Sequence, residues 1–342
     1  MTNSVGAALR EGIRRVNGAP AILCGMFALT LLVALPLSFA LRGMIEDHLG
    51  HSLAAERAAG SVNYDWWQEF SAQASGLGTT FVPSIIGFGA VLDNLSGLLD
   101  NQPLATTIAG ATTAWLVLWS FLSGGVLDRY ARGRPTRAQG FFAACGVHFW
   151  RFLRLGIVAF VVYDLLFVWV HPFIFETLYE RLTRDLTVER AAFVIRVACY
   201  LFFGALLLLT NLIFDYARIR LVVEDRRSAL AALTAGLRFV RRQPGTVLLY
   251  LANALIFLVL VLIYAVAAPG APGSGLSMWL VLGLGELYIL GRHYVKLLFY
   301  ASETAFFQGA LAHASYTAAP AVVWPDSPAA EAIANADLSN VG

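Results

Sequence analysis

Asp164, Arg196 and Glu286 are ionisable residues set inside otherwise apolar stretches. Below Glu286 follow His293, Lys296, Tyr300 and Glu303. On a helix turning about 100° per residue, Glu286, His293 and Tyr300 fall within about 40° of one another. They make a polar stripe with Lys296 and Glu303 on its flank. Charges inside a membrane are costly and default to functional hypotheses. The chemistry such a stripe could serve is a path or pocket for an ion, a proton or a lipid headgroup. The competing reading is structural: an ion-pair network pinning helices, such as Asp164 or Glu286 with Arg196. Arg196, Arg292 and Lys296 could also snorkel toward an interface.

Enzyme chemistry finds little support. There is no HExxH, no GxSxG and no phosphate-binding loop. His48 and His51 lie three apart beside Glu46 and Asp47, a weak metal patch that reads more readily as a solvated loop. Cys24, Cys145 and Cys199 are scattered in or beside apolar segments without metal or redox spacing, and read as packing residues. No catalytic residue, cofactor or metal is expected, and the protein reads as non-enzymatic.

The elements that must position these residues are set by composition. Of 342 residues, 58% are hydrophobic and 13% charged, against roughly 25% charged in soluble domains. Lys296 is the only lysine among 24 basic residues. An arginine bias of this kind fits a GC-rich bacterial genome. The arginines flank apolar segments and do not gather on one soluble face, which argues against nucleic acid as a partner.

Six apolar segments read as membrane spans: 19–41, 104–127, 155–175, 191–214, 246–268 and 277–311. About 20 such residues cross a bilayer core, and in lipid each span must be a helix. The first is too long for a signal-peptide core and is expected to be retained. The fold class is therefore an all-α polytopic membrane protein. Arginine is concentrated at the N-terminus and in 128–154 and 215–245, which places both termini in the cytoplasm of a bacterial inner membrane. The weak point is 176–190, with three arginines and four acids.

Residues 42–103 are expected to form an extracytoplasmic helical cap within a transmembrane domain of 1–314. Phe81, Ile85, Phe88, Leu92, Leu95 and Leu99 recur at helical spacing, so 81–99 reads as an amphipathic helix and not as a seventh span. Trp66 and Trp67 read as interfacial anchors. The tail 315–342, rich in Ala and Pro, reads as disordered.

Three spans end alike, in Tyr130-Ala131-Arg132, Tyr216-Ala217-Arg218 and Tyr300-Ala301-Ser302. Amphipathic stretches around Gly12, Gly146 and Gly236 precede the first, third and fifth spans. Together they suggest three parallel hairpin units, each a cytoplasmic amphipathic helix followed by a span out and a span back. Simple interfacial anchoring by Tyr and Arg is the alternative. Asp215–Leu249, with Asp-Tyr-Ala-Arg, then Glu224-Asp225-Arg226-Arg227-Ser228-Ala229-Leu230, then Gly236, resembles uncharacterised bacterial membrane proteins. These are similar to the membrane domain appended to some glycerophosphodiester phosphodiesterases. The likeness covers about residues 5–310, with nothing corresponding to the catalytic barrel, and implies an accessory or lipid-associated role. Two function classes follow. One is a scaffold, accessory subunit or lipid-associated component, meeting a membrane partner through the 42–103 cap or the basic loops. The other is a transporter built on Asp164, Arg196, Glu286, His293 and Lys296.

Overall fold

The computed structural model describes residues 4–318 except 53, 55, 58–62, 83–87, 104–105, 134 and 269–274. Ten α-helices and no strands occur among the described residues: α1 (Val5–Asn17), α2 (Pro20–Gly50), α3 (Tyr64–Gln73), α4 (Phe88–Leu99), α5 (Thr106–Arg132), α6 (Ala138–Thr183), α7 (Glu189–Val223), α8 (Ala229–Arg242), α9 (Gly245–Ala267) and α10 (Leu276–Ala318). Five of them, α2, α5, α6, α7 and α9, are long and apolar enough to cross a membrane, which points to a membrane protein. The apolar run of α10 is interrupted by Glu286, Arg292 and His293, and α10 is not in that group.

Local chemistry sets the helix starts. The side chains of Ser4, Asn63 and Ser228 accept from the backbone N–H groups of Ala7, Trp66 and Ala231, capping α1, α3 and α8. Pro20 opens α2, where its missing N–H costs nothing. In α6, His171-Pro172 sits between two π-helical stretches, Leu166–Val170 and Phe173–Leu178. Pro172 cannot donate to the preceding turn, and the widened turns keep the rod continuous around it.

Several expected boundaries move outward. α2 runs on to Gly50, α5 to Arg132 and α7 to Val223, and the last helix reaches Ala318, so the tail starts as helix. The basic loops shrink to 133–137 and 224–228. The reason is that a helix need not stop where hydropathy falls: its buried stripe continues through Tyr130 and through Tyr216 to Leu221. Residues 319–342, and with them most of the expected disordered tail, lie outside the described residues.

The core is concentrated at the arginine-rich end. Val126, Leu127 and Tyr130 of α5 meet Tyr216, Ala217 and Ile219 of α7 and Leu297, Tyr300, Ala301 and Phe307 of α10. Tyr130, Tyr216 and Tyr300 are thus core residues, not interfacial anchors. Farther along, Phe160, Leu201, Leu255, Ile263 and Trp279 point outward, leaving an apolar exterior too extensive for a water-exposed monomer.

Three short amphipathic stretches close this end. α1 packs on α10, the first part of α6 on α5, and α8 on α7. Each contact passes through small residues. Gly12 lies against the Ser302 backbone, Gly125 against Cys145, and Gly236 against Ala217 and the Ile213 carbonyl. Arg15 adds a bond to the Tyr130 carbonyl (2.9 Å) and one to Gln308 Oε1 (3.0 Å).

At the other end, Trp66, Phe70, Phe81 and His48 form an aromatic cluster. The Trp66 indole N–H donates to His48 Nδ1 (3.1 Å), and that of Trp67 donates to the Phe81 carbonyl (3.0 Å). Trp66 is buried in this cluster and is no membrane anchor. Of the expected helix 81–99, the described part is α4, with Phe81 ahead of it and 83–87 outside the described residues.

Candidate functional site

Among the described residues no hydrogen bond or ion pair joins any two of the five residues singled out by the sequence, three of which share α10. Asp164, on α6, is exposed and has no partner among the described residues. Arg196 lies at the surface of α7, bonded to the Tyr200 hydroxyl (3.4 Å) and set over the rings of Tyr179 (5.5 Å) and Tyr200 (5.8 Å). The Tyr200 hydroxyl in turn donates to Asp100. That bond, followed by one from Ser96, holds the Asp100 carboxyl below its usual range. Arg196 therefore pairs neither with Asp164 nor with Glu286, contrary to the ion pair that the spans suggested. Glu286 is half-buried, and its shielded Oε2 has no partner.

His293 and Lys296 leave the stripe in different directions. His293 Nε2 meets Thr30 Oγ1 of α2 at 2.9 Å. Lys296 Nζ stands 4.0 Å over the Trp119 ring of α5, a cation–π contact.

The charges that do converge are others. Asp215 and Arg218, one turn apart on α7, are joined by a 2.6 Å bond from Arg218 Nη1 to Asp215 Oδ1. The same nitrogen donates to the Tyr300 hydroxyl at 3.3 Å, and Trp119 Nε1 donates to that hydroxyl, also at 3.3 Å. The Trp119 and Tyr300 rings stack at 5.8 Å. One turn before Asp215, Asn211 accepts from Tyr163 (3.4 Å) and donates to Tyr250 (3.2 Å). On α9, Asn253 Nδ2 donates to Ser302 Oγ (2.9 Å), which itself donates to the Leu298 carbonyl (2.7 Å). Five helices, α5, α6, α7, α9 and α10, thus contribute polar groups to one region of the bundle.

Glu303 stands apart. It is fully buried, and neither carboxyl oxygen has a hydrogen-bond partner. The hydroxyls of Tyr130, Tyr216 and Thr304 are likewise buried and unbonded. Such groups cost free energy unless satisfied, so the region is polar beyond what the bundle needs for its own bonds.

The sequence does not single out Asp215 and Arg218, because hydropathy places both in a basic loop, where charge is cheap. The signal was present: they bracket Tyr216-Ala217, inside the repeated Tyr-Ala motif. The His48–His51 patch lines an open pocket with Asp47 and Glu69. Among the described residues, however, no group of three or more His, Cys, Asp or Glu is placed to hold a metal ion. No protein-family model, no curated protein and no solved structure matches the chain, so its geometry is the ground for reading its function.

Proposed function

We propose that the chain is a non-enzymatic scaffold or accessory component of a bacterial inner membrane, surrounded by lipid and meeting partners through its cap or its arginine-rich end. Six helices cross the bilayer, α10 being the sixth, with both termini in the cytoplasm. Three hairpin units build the domain. The amphipathic stretch of each unit docks on the returning helix of another: α8 on α7, α6 on α5 and α1 on α10. The units therefore close into a ring. The resemblance of Asp215–Leu249 to membrane domains appended to phosphodiesterases is in keeping with an accessory role.

The observation that carries this reading is how the charges are used. Asp215–Arg218 and Lys296 join α5, α7 and α10 through Tyr300 and Trp119. Asp164, Arg196 and Glu286 assemble no common path. Asp215→Asn should lower the stability of the detergent-solubilised protein by roughly 3 kcal/mol, the low end of the loss for a buried pair, because Arg218 keeps a quarter of its side chain exposed. Proteoliposomes should show no proton or ion flux above empty vesicles.

Transport remains the second reading because of Glu303, whose buried carboxyl has no partner. Flux in the wild type that Glu303→Gln abolishes would establish transport and overturn the scaffold role. A folded Glu303→Gln protein alongside a flux-free wild type would leave the scaffold role standing.

A further inference from the structure

A groove of about 370 Å³ runs between the start of α2 and the facing parts of α5 and α6. That volume lies within the range of sites for small molecules, roughly 300–1,000 Å³. Its long walls are apolar: Met26 and Leu29 of α2, Leu122 and Val126 of α5, Phe141 and Phe142 of α6. Gly25 forms part of the α2 wall, and no heavy atom lies within 4 Å of where its Cβ would be.

One end of the groove is electropositive for three separate reasons. Arg129 lines it and is only 8% exposed. Its Nη2 donates to the Gly18 carbonyl (3.0 Å), but no carboxylate meets it, because the adjacent Asp128 is bonded to Arg132. The remaining guanidinium N–H groups have no acceptor among the described residues. Second, the positive end of the α2 dipole opens here, with Ala19, Pro20 and Ala21 in the wall and no side-chain cap; Pro20 has no N–H and the Ile22 N–H donates to the Ala19 carbonyl, so Ala21 supplies the N–H of this first turn. Third, α6 starts here at Ala138, also without a side-chain cap. Uncapped helix starts leave N–H groups directed at an anion, and a buried guanidinium without a carboxylate is suited to phosphate.

We infer that this groove binds one anionic phospholipid, its phosphate held by Arg129 between the starts of α2 and α6 and one acyl chain laid along the apolar walls. A free phosphate would leave those walls empty, and a neutral hydrocarbon would leave Arg129 unanswered. At about 1.5 Å per residue, Gly18 to Leu29 spans about 16 Å, a length suited to an extended acyl chain. The inference rests on membrane placement and not on the scaffold role; recovery in the membrane fraction checks placement separately.

The test is native mass spectrometry of the full chain, extracted from bilayers of phosphatidylglycerol and phosphatidylcholine in equal parts. The wild type should retain one phosphatidylglycerol in preference to phosphatidylcholine. Arg129→Gln should weaken that retention about tenfold, the loss of one charge-assisted contact, and Arg129→Lys should restore most of it. Gly25→Leu, which fills the groove without touching the phosphate end, should reduce retention of both lipids, and it decides the matter if Arg129→Gln does not fold. Equal retention of the two lipids by the wild type, or retention unchanged in Gly25→Leu, would overturn the proposal.

Discussion

At the scale of the residue, the chain distinguishes charges that are buried from charges that are bonded in solvent. Asp225, in the turn between α7 and α8, adopts φ +49 and bonds Arg151 of α6. That bond holds its carboxyl below the ordinary value of 3.8. Glu11 is likewise held down, chiefly by its bond from Arg14. A depressed carboxyl pKa adds stability that is present above the unfolded value and lost as pH falls through the folded one. The thermal midpoint should therefore stay level from neutral pH to about pH 5 and fall below about pH 4. Asp225→Asn should flatten part of that acid limb; an unchanged limb would show that the contact contributes nothing. The sequence made the buried residues hard to recognise. Asp215 and Arg218 look like solvated loop charges until the helix is seen to run past them, and the partners of His293 and Lys296, Thr30 and Trp119, lie on other helices that the sequence does not point to. Side-chain partners across helices depend on packing angles, which spacing along one helix does not encode.

At the scale of the element, hydropathy located five membrane-competent helices well and their ends poorly. The expected 246–268 and the observed Gly245–Ala267 differ by one residue at each end. The expected 191–214 became Glu189–Val223, because the polar last turns of α7 are held by tertiary packing that hydropathy cannot register. The three glycines aligned in sequence also prove unequal. A Cβ on Gly12 would lie 2.7 Å from Ser302 Cβ and 2.8 Å from its backbone, and one on Gly236 would lie 3.0 Å from the Ile213 carbonyl. Gly146 faces open space, and its neighbour Cys145 makes the close contact with Gly125 instead. Gly12→Ala and Gly236→Ala should each destabilise the solubilised protein by about 1–3 kcal/mol through overpacking. Gly146→Ala should be neutral or stabilising by up to about 1 kcal/mol. Equal melting shifts in all three variants would show that these helix contacts are not close-packed.

At the scale of the whole molecule, the arginine-rich end and the capped end differ in construction. One is a packed core covered by three amphipathic stretches. The other is an aromatic cluster seated on the far end of α2. If the arginine-rich end is cytoplasmic, a single cysteine at Ser75 in a chain lacking Cys24, Cys145 and Cys199 should react with an impermeant maleimide added outside intact spheroplasts. One at Arg227 should react only after lysis. The opposite pattern would invert the topology. The expected orientation rests on arginine placement, which the labelling pattern tests. The closing of α1 on α10 was not legible in the sequence, since it depends on contacts between helices far apart in the chain.

That closure has a consequence for how the protein is made. Arg15 bonds Gln308, 293 residues further along the chain, and Gly12 is packed against Ser302. During synthesis α1 emerges well before α10, but the surface it covers does not exist until α10 has been translated. At about 5–20 residues per second that interval is about 15–60 s. Through it α1 lacks the surface it finally packs on, so a helix made well before α10 is among the last to reach its final place.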